Sequence, residues 1–309
     1  KDIPQSVTKL MFADDTKLKA ACKNLDQSLD LQIALTSLEE KAKEYGLIFN
    51  SEKSNLLITG QVDGSGENFY LDDGPINRVD CARDLGVLFE ETLSWRKHVA
   101  EKTQKAIIAA NTFRRNFKTR NVAALRRVWT VYIQPQFTYG SNIWFNHDII
   151  NMRRLMKVWN NFWKMGSYNR PPPDLLNPIE YCVLNDLMFA WSMYNEQCRL
   201  NFWNYFTVVN RHRNTRSAIN ERLQVPIVRA TKYKGAYRIR TAKALNSLPP
   251  FSLSLPKQLF RAEAEKYAKN FYMNLVLQGK FGPLREHQLQ EAGSEEHTSE
   301  LQSHSDLVC

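Results

Sequence analysis

Val7-Thr8-Lys9-Leu10-Met11-Phe12-Ala13-Asp14-Asp15-Thr16-Lys17-Leu18 is the stretch that decides the reading of this 309-residue chain. Val7 to Phe12 is apolar apart from Thr8 and Lys9, the two Asp fall where the run breaks, and Thr16-Lys17-Leu18 continues beyond them. The pattern predicts strand, tight acidic turn, strand. A hairpin tip holds its side chains rigidly and can present them to a groove. Two adjacent carboxylates repel each other, so the pair suits a cation. Hard divalent ions such as Mg²⁺ take oxygen ligands, and phosphoryl transfer by two metals about 3.5–4 Å apart needs carboxylates that bridge them. Asp is also common in plain surface turns, so the four letters alone carry little.

The surroundings say more. After the hairpin, Leu31, Leu35, Leu38, Ala42 and Tyr45 recur at intervals of 4, 3, 4 and 3, one apolar helix face that Gly46 stops. Asn24 or Asp26 suits its N-terminal cap. Short strands are predicted over 47–50, 56–59, 69–71 and 82–89. From Trp95 the texture turns helical, over 95–117, 121–137, 151–165, 185–205 and 257–277, with Pro171-Pro172-Pro173 as a break. The class is α+β: an antiparallel hairpin with its helix, then a mainly helical remainder.

In order and spacing these segments resemble the reverse transcriptases of non-LTR retrotransposons. Phe12-Ala13-Asp14-Asp15 is similar to the family's aromatic-x-Asp-Asp hairpin. Gly46-Leu47-Ile48-Phe49-Asn50-Ser51-Glu52-Lys53 is similar to its Gly-Leu-x-x-Asn-x-x-Lys segment. Asp84-Leu85-Gly86-Val87-Leu88, then Leu93-Ser94-Trp95 and His98, resembles its Leu-Gly-Val segment. The run from Tyr132 through Pro135 and Tyr139-Gly140 to Trp144 resembles a later one. Ala244-Leu245-Asn246-Ser247-Leu248-Pro249 resembles a late Trp-Asn-Ser-Leu-Pro segment, with Leu245 in place of Trp. The resemblance spans roughly residues 8 to 275 and is nearest to jockey-like and CR1-like elements.

The resemblance implies a partial palm over 1–92, a basic helical thumb-like region over 93–170, a C-terminal helical and basic region over 171–292, and a tail over 293–309. Asp14 would bind two catalytic Mg²⁺ ions in the complete polymerase, Asp15 would shape the site and touch the metal, and Leu85, Gly86 and Val87 would form the primer grip. Lys53 would meet the incoming dNTP and protonate the leaving pyrophosphate, for which a lysine pKa must fall toward neutrality. The family's first metal-binding Asp and its fingers lie upstream of this stretch. The chain alone is therefore expected to have no polymerase activity, and the sequence is expected to continue before Lys1. The implied partners are an RNA template paired with a DNA primer, and dNTP. The implied compartments are intracellular, cytoplasmic and nuclear.

Charge supports a nucleic-acid partner. Lys plus Arg is 42 against 32 Asp plus Glu, a net +10. Lys102, Lys105, Arg114, Arg115, Lys118, Arg120, Arg126 and Arg127 lie in one window without Asp or Glu. Such a run can follow a phosphate backbone, whereas a solvated face usually mixes signs. A second basic stretch, 211–240, suits RNA or DNA as well as it suits a solubilising strand edge. The Trp residues fall mostly on helical apolar faces and are expected in the core. No run of 18 apolar residues predicts a membrane span. The five Cys show no CxxC pair, which disfavours a zinc ribbon or a disulfide framework. Residues 294–309 resemble a translated sequencing adapter, and without them the balance is 42 basic against 28 acidic, +14. A non-catalytic duplex-binding protein and a decayed transcript are the competing readings; the intact Asp14-Asp15 and the open frame argue against decay.

Overall fold

The computed structural model describes residues 3–21, 25–60, 68–72, 74–119, 121–164, 171–209, 222–230 and 233–280. The adapter-like tail, Arg120 and the part of the second basic stretch over 211–221 and 231–232 lie outside them. The architecture is mixed helix and strand, and the chain divides into two compact units, 1–98 and 99–309.

In the first unit, β1 (Val7–Phe12) and β2 (Asp15–Ala20) form the expected antiparallel hairpin, with Val7 opposite Ala20 and Phe12 opposite Asp15. Thr16, Leu18 and Ala20 are half-buried while Asp15, Lys17 and Lys19 are exposed, the period-2 signature of a strand covered on one face. The cover is α1 (Leu25–Glu44), which packs on both strands. Ser6 Oγ donates to Asp30 of this helix at 2.5 Å.

The remaining strands are β3 (Asn55–Leu57), β4 (Tyr70–Leu71), β5 (Gly74–Pro75), β6 (Asn77–Val79), β7 (Cys81–Asp84) and β8 (Val87–Glu90). β3 pairs with β6 in parallel, β4 with β5 and β7 with β8 antiparallel. A two-stranded ribbon is marginal alone, so side chains from elsewhere fasten these. Gln32 of α1 acts as a neighbouring strand: the Tyr70 N–H donates to its Oε1 at 2.9 Å, and its Nε2 donates to the Tyr70 carbonyl at 3.0 Å. At the end of β8 the buried Glu90 carboxylate accepts the Lys97 N–H and the Ser94 hydroxyl, both at 3.3 Å. That holds the start of α2 (Arg96–Asn116).

The second unit contains most of α2, which buries Val99, Thr103, Ala106 and Ala110 along one stripe. The helix expected over 121–137 is α3 (Val122–Val128), a π-helical turn at Trp129–Ile133, and α4 (Pro135–Thr138). The Gln134 N–H reaches back five residues to the Trp129 carbonyl at 2.8 Å. Pro135 has no N–H to give, so the ladder widens just before it. Then come α5 (Ser141–Trp144), α6 (Ile149–Lys164), α7 (Pro178–Tyr194), α8 (Tyr237–Leu245) and α9 (Lys257–Leu277).

α7 is the hub, touching α5, α6, α8 and α9. It begins well before the expected 185, because Asn177 caps the Ile179 and Glu180 N–H groups at 3.0 Å while Glu180 returns a bond to the Asn177 N–H. It ends at Tyr194, and one short turn at Phe202–Asn204 follows. Trp129 sits in an aromatic cluster with Trp159, Phe162 and Phe137, ring centroids 4.8, 5.3 and 5.8 Å away. Trp144, Trp163 and Trp191 are also buried, as expected, and Trp203 is half exposed.

A polar knot lies inside this apolar packing. The Arg240 guanidinium meets Asp186 through two bonds of 2.6 and 2.9 Å, and both side chains are almost fully buried. Its remaining donors reach the carbonyls of Gly235 and Asn142 at 2.8 Å each. Asn142 Nδ2 adds a bond to Asp186 Oδ1 at 3.0 Å. Gly235 must be glycine here, since a Cβ would stand 1.8 Å from the Asn146 carbonyl oxygen.

Beside the knot, His147 lies between Phe145 and Phe271, centroids 5.0 and 4.8 Å away. Burial first, and then the cations of Arg240, Lys243 and Lys280, push its pKa down to about 3. The unfolded chain therefore takes the proton first. Stability from this group is complete above pH ~6.5 and is lost as pH falls toward 3, at no more than about 1.4 kcal/mol per unit. Residue 147 keeps some exposed surface, so the slope should fall below that ceiling. His147→Gln is expected to flatten the melting-temperature profile between pH 6.5 and 4; a profile parallel to the parent would refute this.

Candidate functional site

The acidic tip is built as the sequence predicts. Phe12 and Asp15 are paired, leaving Ala13-Asp14 as a two-residue turn, with Ala13 at φ +52. A left-handed Ala is strained, and tight hairpin turns need such an angle. Asp14 and Asp15 are both exposed, and neither forms an ion pair with a described residue.

Two residues along β2, on the same face as Asp15, Lys17 forms an ion pair with Asp84 of β7. Its ammonium also lies 4.9 Å from the centroid of Phe89 on β8. Sequence reasoning gave Lys17 no role; the alternation of β2 places it beside Asp15, but the identity of its partner requires the fold.

The proposed primer-grip residues separate into a tip and an anchor. The run 82–89, expected as one strand, is a hairpin turning at Leu85-Gly86, with φ +45 and +82 and Asp84 opposite Val87. Positive φ at both central residues is the I′ geometry, which Gly86 adopts freely. Leu85 is exposed and Val87 is buried. Behind them the Leu88 N–H donates to Nδ1 of the buried His98 at 3.1 Å, and Phe89 meets Trp95 edge-on at 5.1 Å. The spacing from Leu85 to His98 is thus that of a packing unit.

Lys53 is exposed at the end of a single turn, Ser51–Lys53. Its N–H donates to the Asn50 side chain at 3.0 Å, which gives the Asn-x-x-Lys spacing a structural cause. Lys53 forms no ion pair with Asp14, Asp15 or another described residue.

In the second unit the basic window is less bare than its sequence. Lys105 pairs with Glu101 at 2.8 Å and Arg126 with Asp174 at 2.5 Å. Both acids lie outside the window. Lys102 is half-buried, while Arg114, Arg115, Lys118 and Arg127 are exposed. Arg114 and Arg115 also sit in the last turn of α2, where cations favour the helix dipole. Two late segments serve the fold. Trp144 is buried and its indole N–H donates to the Tyr139 carbonyl at 2.9 Å. Asn246 accepts the Leu223 N–H at 2.8 Å and donates to the Leu223 carbonyl at 2.9 Å.

Among the described residues no group of three or more His, Cys, Asp or Glu could hold a metal, and no helix is long and apolar enough to cross a membrane. Two exposed carboxylates still suit Mg²⁺, which keeps much of its water and binds through one or two carboxylates plus substrate phosphates.

Comparison with known proteins points the same way. The chain is 24% identical over 227 residues to a Drosophila melanogaster protein named "Probable RNA-directed DNA polymerase from transposon X-element". The match covers 70% of this chain and 23% of that protein, so the chain spans about a quarter of the relative's length. No family model matches, and no solved structure matches. The similarity supports a relationship to retrotransposon reverse transcriptases.

Proposed function

We propose that this chain is part of the RNA-directed DNA polymerase of a non-LTR retrotransposon, of the jockey-like and CR1-like kind. Its first unit contributes the second half of a palm, and the basic helices that follow act as a thumb. The observation that carries the reading is the Phe12-Ala13-Asp14-Asp15 turn on a rigid hairpin, in a chain similar to a transposon polymerase.

In that reading Asp14 and Asp15 hold Mg²⁺ together with an acidic group from elsewhere in the polymerase. The metal supplies positive charge where phosphoryl oxygens gain negative charge. Lys53 meets the triphosphate of the dNTP and gives a proton to the departing pyrophosphate. The Leu85-Gly86 tip lies against the primer strand, where a glycine lets backbone approach backbone closely. Arg114, Arg115, Lys118 and Arg127 follow the phosphates of the RNA–DNA duplex, a shape gripped through its backbone. The work belongs where element RNA and chromosomal DNA are found, in cytoplasm and nucleus.

The test uses the purified chain with an annealed RNA template and DNA primer. It is expected to bind the duplex and to extend nothing with dNTPs and Mg²⁺. Asp14→Ala is expected to leave duplex binding unchanged. Extension that vanishes on Asp14→Ala would show a complete site within these residues and overturn the partial-palm reading. Absence of duplex binding would overturn the polymerase reading as a whole.

A further inference from the structure

We infer that Lys17 and Asp84 are positioning residues that lock the acidic tip of one hairpin to the Leu85-Gly86 tip of another. The inference rests on the reading of Asp14 and Asp15 as metal ligands and adds to it how their hairpin is aimed. Asp84 is the last residue of β7 and directly precedes the turn. Lys17 follows Asp15 by two residues, about 7 Å along the same face of β2. The contact is therefore one step removed from each tip.

Stability alone does not account for this pair. The side chains are 45% and 35% exposed, and ion pairs that open to water contribute little to folding. Yet the ammonium is held from two sides, by the Asp84 carboxylate on β7 and by the Phe89 ring on β8. A cation over an aromatic face is attracted to it, so Lys17 grips both strands of the second hairpin. Phe89 in turn leans on Trp95, which fixes the ring. Among the described residues each hairpin is a two-stranded ribbon with no further strand paired to it; α1 covers the first, and Lys17 is what ties that covered hairpin to the second, a ribbon marginal by itself. A long flexible lysine needs a defined reason to be held at two points, and the juxtaposition of the two tips supplies one.

The experiment uses the ¹⁵N-labelled full chain, with Mn²⁺ as a paramagnetic probe of the acidic tip. In the parent, Mn²⁺ is expected to broaden the amides of residues 13–16 and, at the same stoichiometry, those of Leu85 and Gly86. Lys17→Met and Asp84→Asn should each leave the first set broadened and relieve the second, with no larger effect in the double variant. Lys17→Arg, and the exchanged pair Lys17→Asp with Asp84→Lys, should restore it. A residue that merely supports the fold would change the melting temperature and would not respond to the exchange of charge. Leu85 and Gly86 amides that stay broadened in Lys17→Met overturn the inference. If Mn²⁺ broadens neither set in the parent, the metal-ligand reading of Asp14 and Asp15 fails. The pair is then judged by the metal-free Leu85 and Gly86 amide shifts: the same displacement in both single variants supports it, and unmoved shifts overturn it.

Discussion

Arg240→Met is expected to destabilise the second unit by about 3–5 kcal/mol, the cost of leaving one member of a buried ion pair uncompensated. At roughly 2–4 °C per kcal/mol for a unit of this size, the melting temperature should fall by about 6–20 °C. The cost has three sources in the structure. Asp186 would keep its burial, which pushes its carboxyl pKa up, without the guanidinium that pulls it down. The Gly235 and Asn142 carbonyls would lose their donor, and a buried acceptor without a partner costs free energy of its own. The knot also joins α7 and α8 to residue 142 of α5, so its loss reaches several elements. Adding Asp186→Leu to Arg240→Met should recover part of the loss, because the stranded charge goes while the two carbonyls stay unserved. A melting temperature within about 2 °C of the parent for Arg240→Met would mean that the pair does not form in solution.

The sequence disclosed what is local and hid what is distant. Strand, acidic turn and strand were legible because apolar residues and two Asp occupy adjacent positions; β1 ends where the apolar run ends, while β2 takes in Asp15 and runs past Leu18 to Ala20. α9 was legible to the residue, because its apolar spacing runs unbroken from Lys257 to Leu277. The Leu85-Gly86 turn was missed because Val87 to Phe89 continues the apolar character across it, and a leucine at positive φ gives no local warning. Asp186 and Arg240 stand 54 residues apart, and nothing in either neighbourhood announces the other. The basic window misled in part for the same reason: Asp174 is 48 residues from Arg126, so an unbalanced count along the chain became a partly balanced one in space.

That balance makes a quantitative expectation of how the chain holds nucleic acid. Each phosphate neutralised by a lysine or arginine releases condensed counterions, and the logarithm of the binding constant then falls with the logarithm of salt at about −0.9 per contact on a duplex. Arg114, Arg115, Lys118 and Arg127 are the exposed cations of the window without an acidic partner among the described residues. Four contacts give a slope of about −3.6, so affinity for an RNA–DNA duplex should fall about 150-fold between 50 and 200 mM salt. All eight cations together would give a slope near −7 and a loss of about 20,000-fold. That result would mean that Lys105 and Arg126 exchange Glu101 and Asp174 for phosphates and that Lys102 and Arg120 join them. The two cases separate by substitution. Arg115→Ala should lower the slope by about one unit in either case, whereas Arg126→Ala should leave it unchanged if Arg126 stays paired with Asp174 and lower it by about one unit if Arg126 is recruited. Filter binding or fluorescence anisotropy at four salt concentrations is sufficient. Binding that is flat across that range would remove the basic helices from the nucleic-acid interface, whatever the acidic hairpin does.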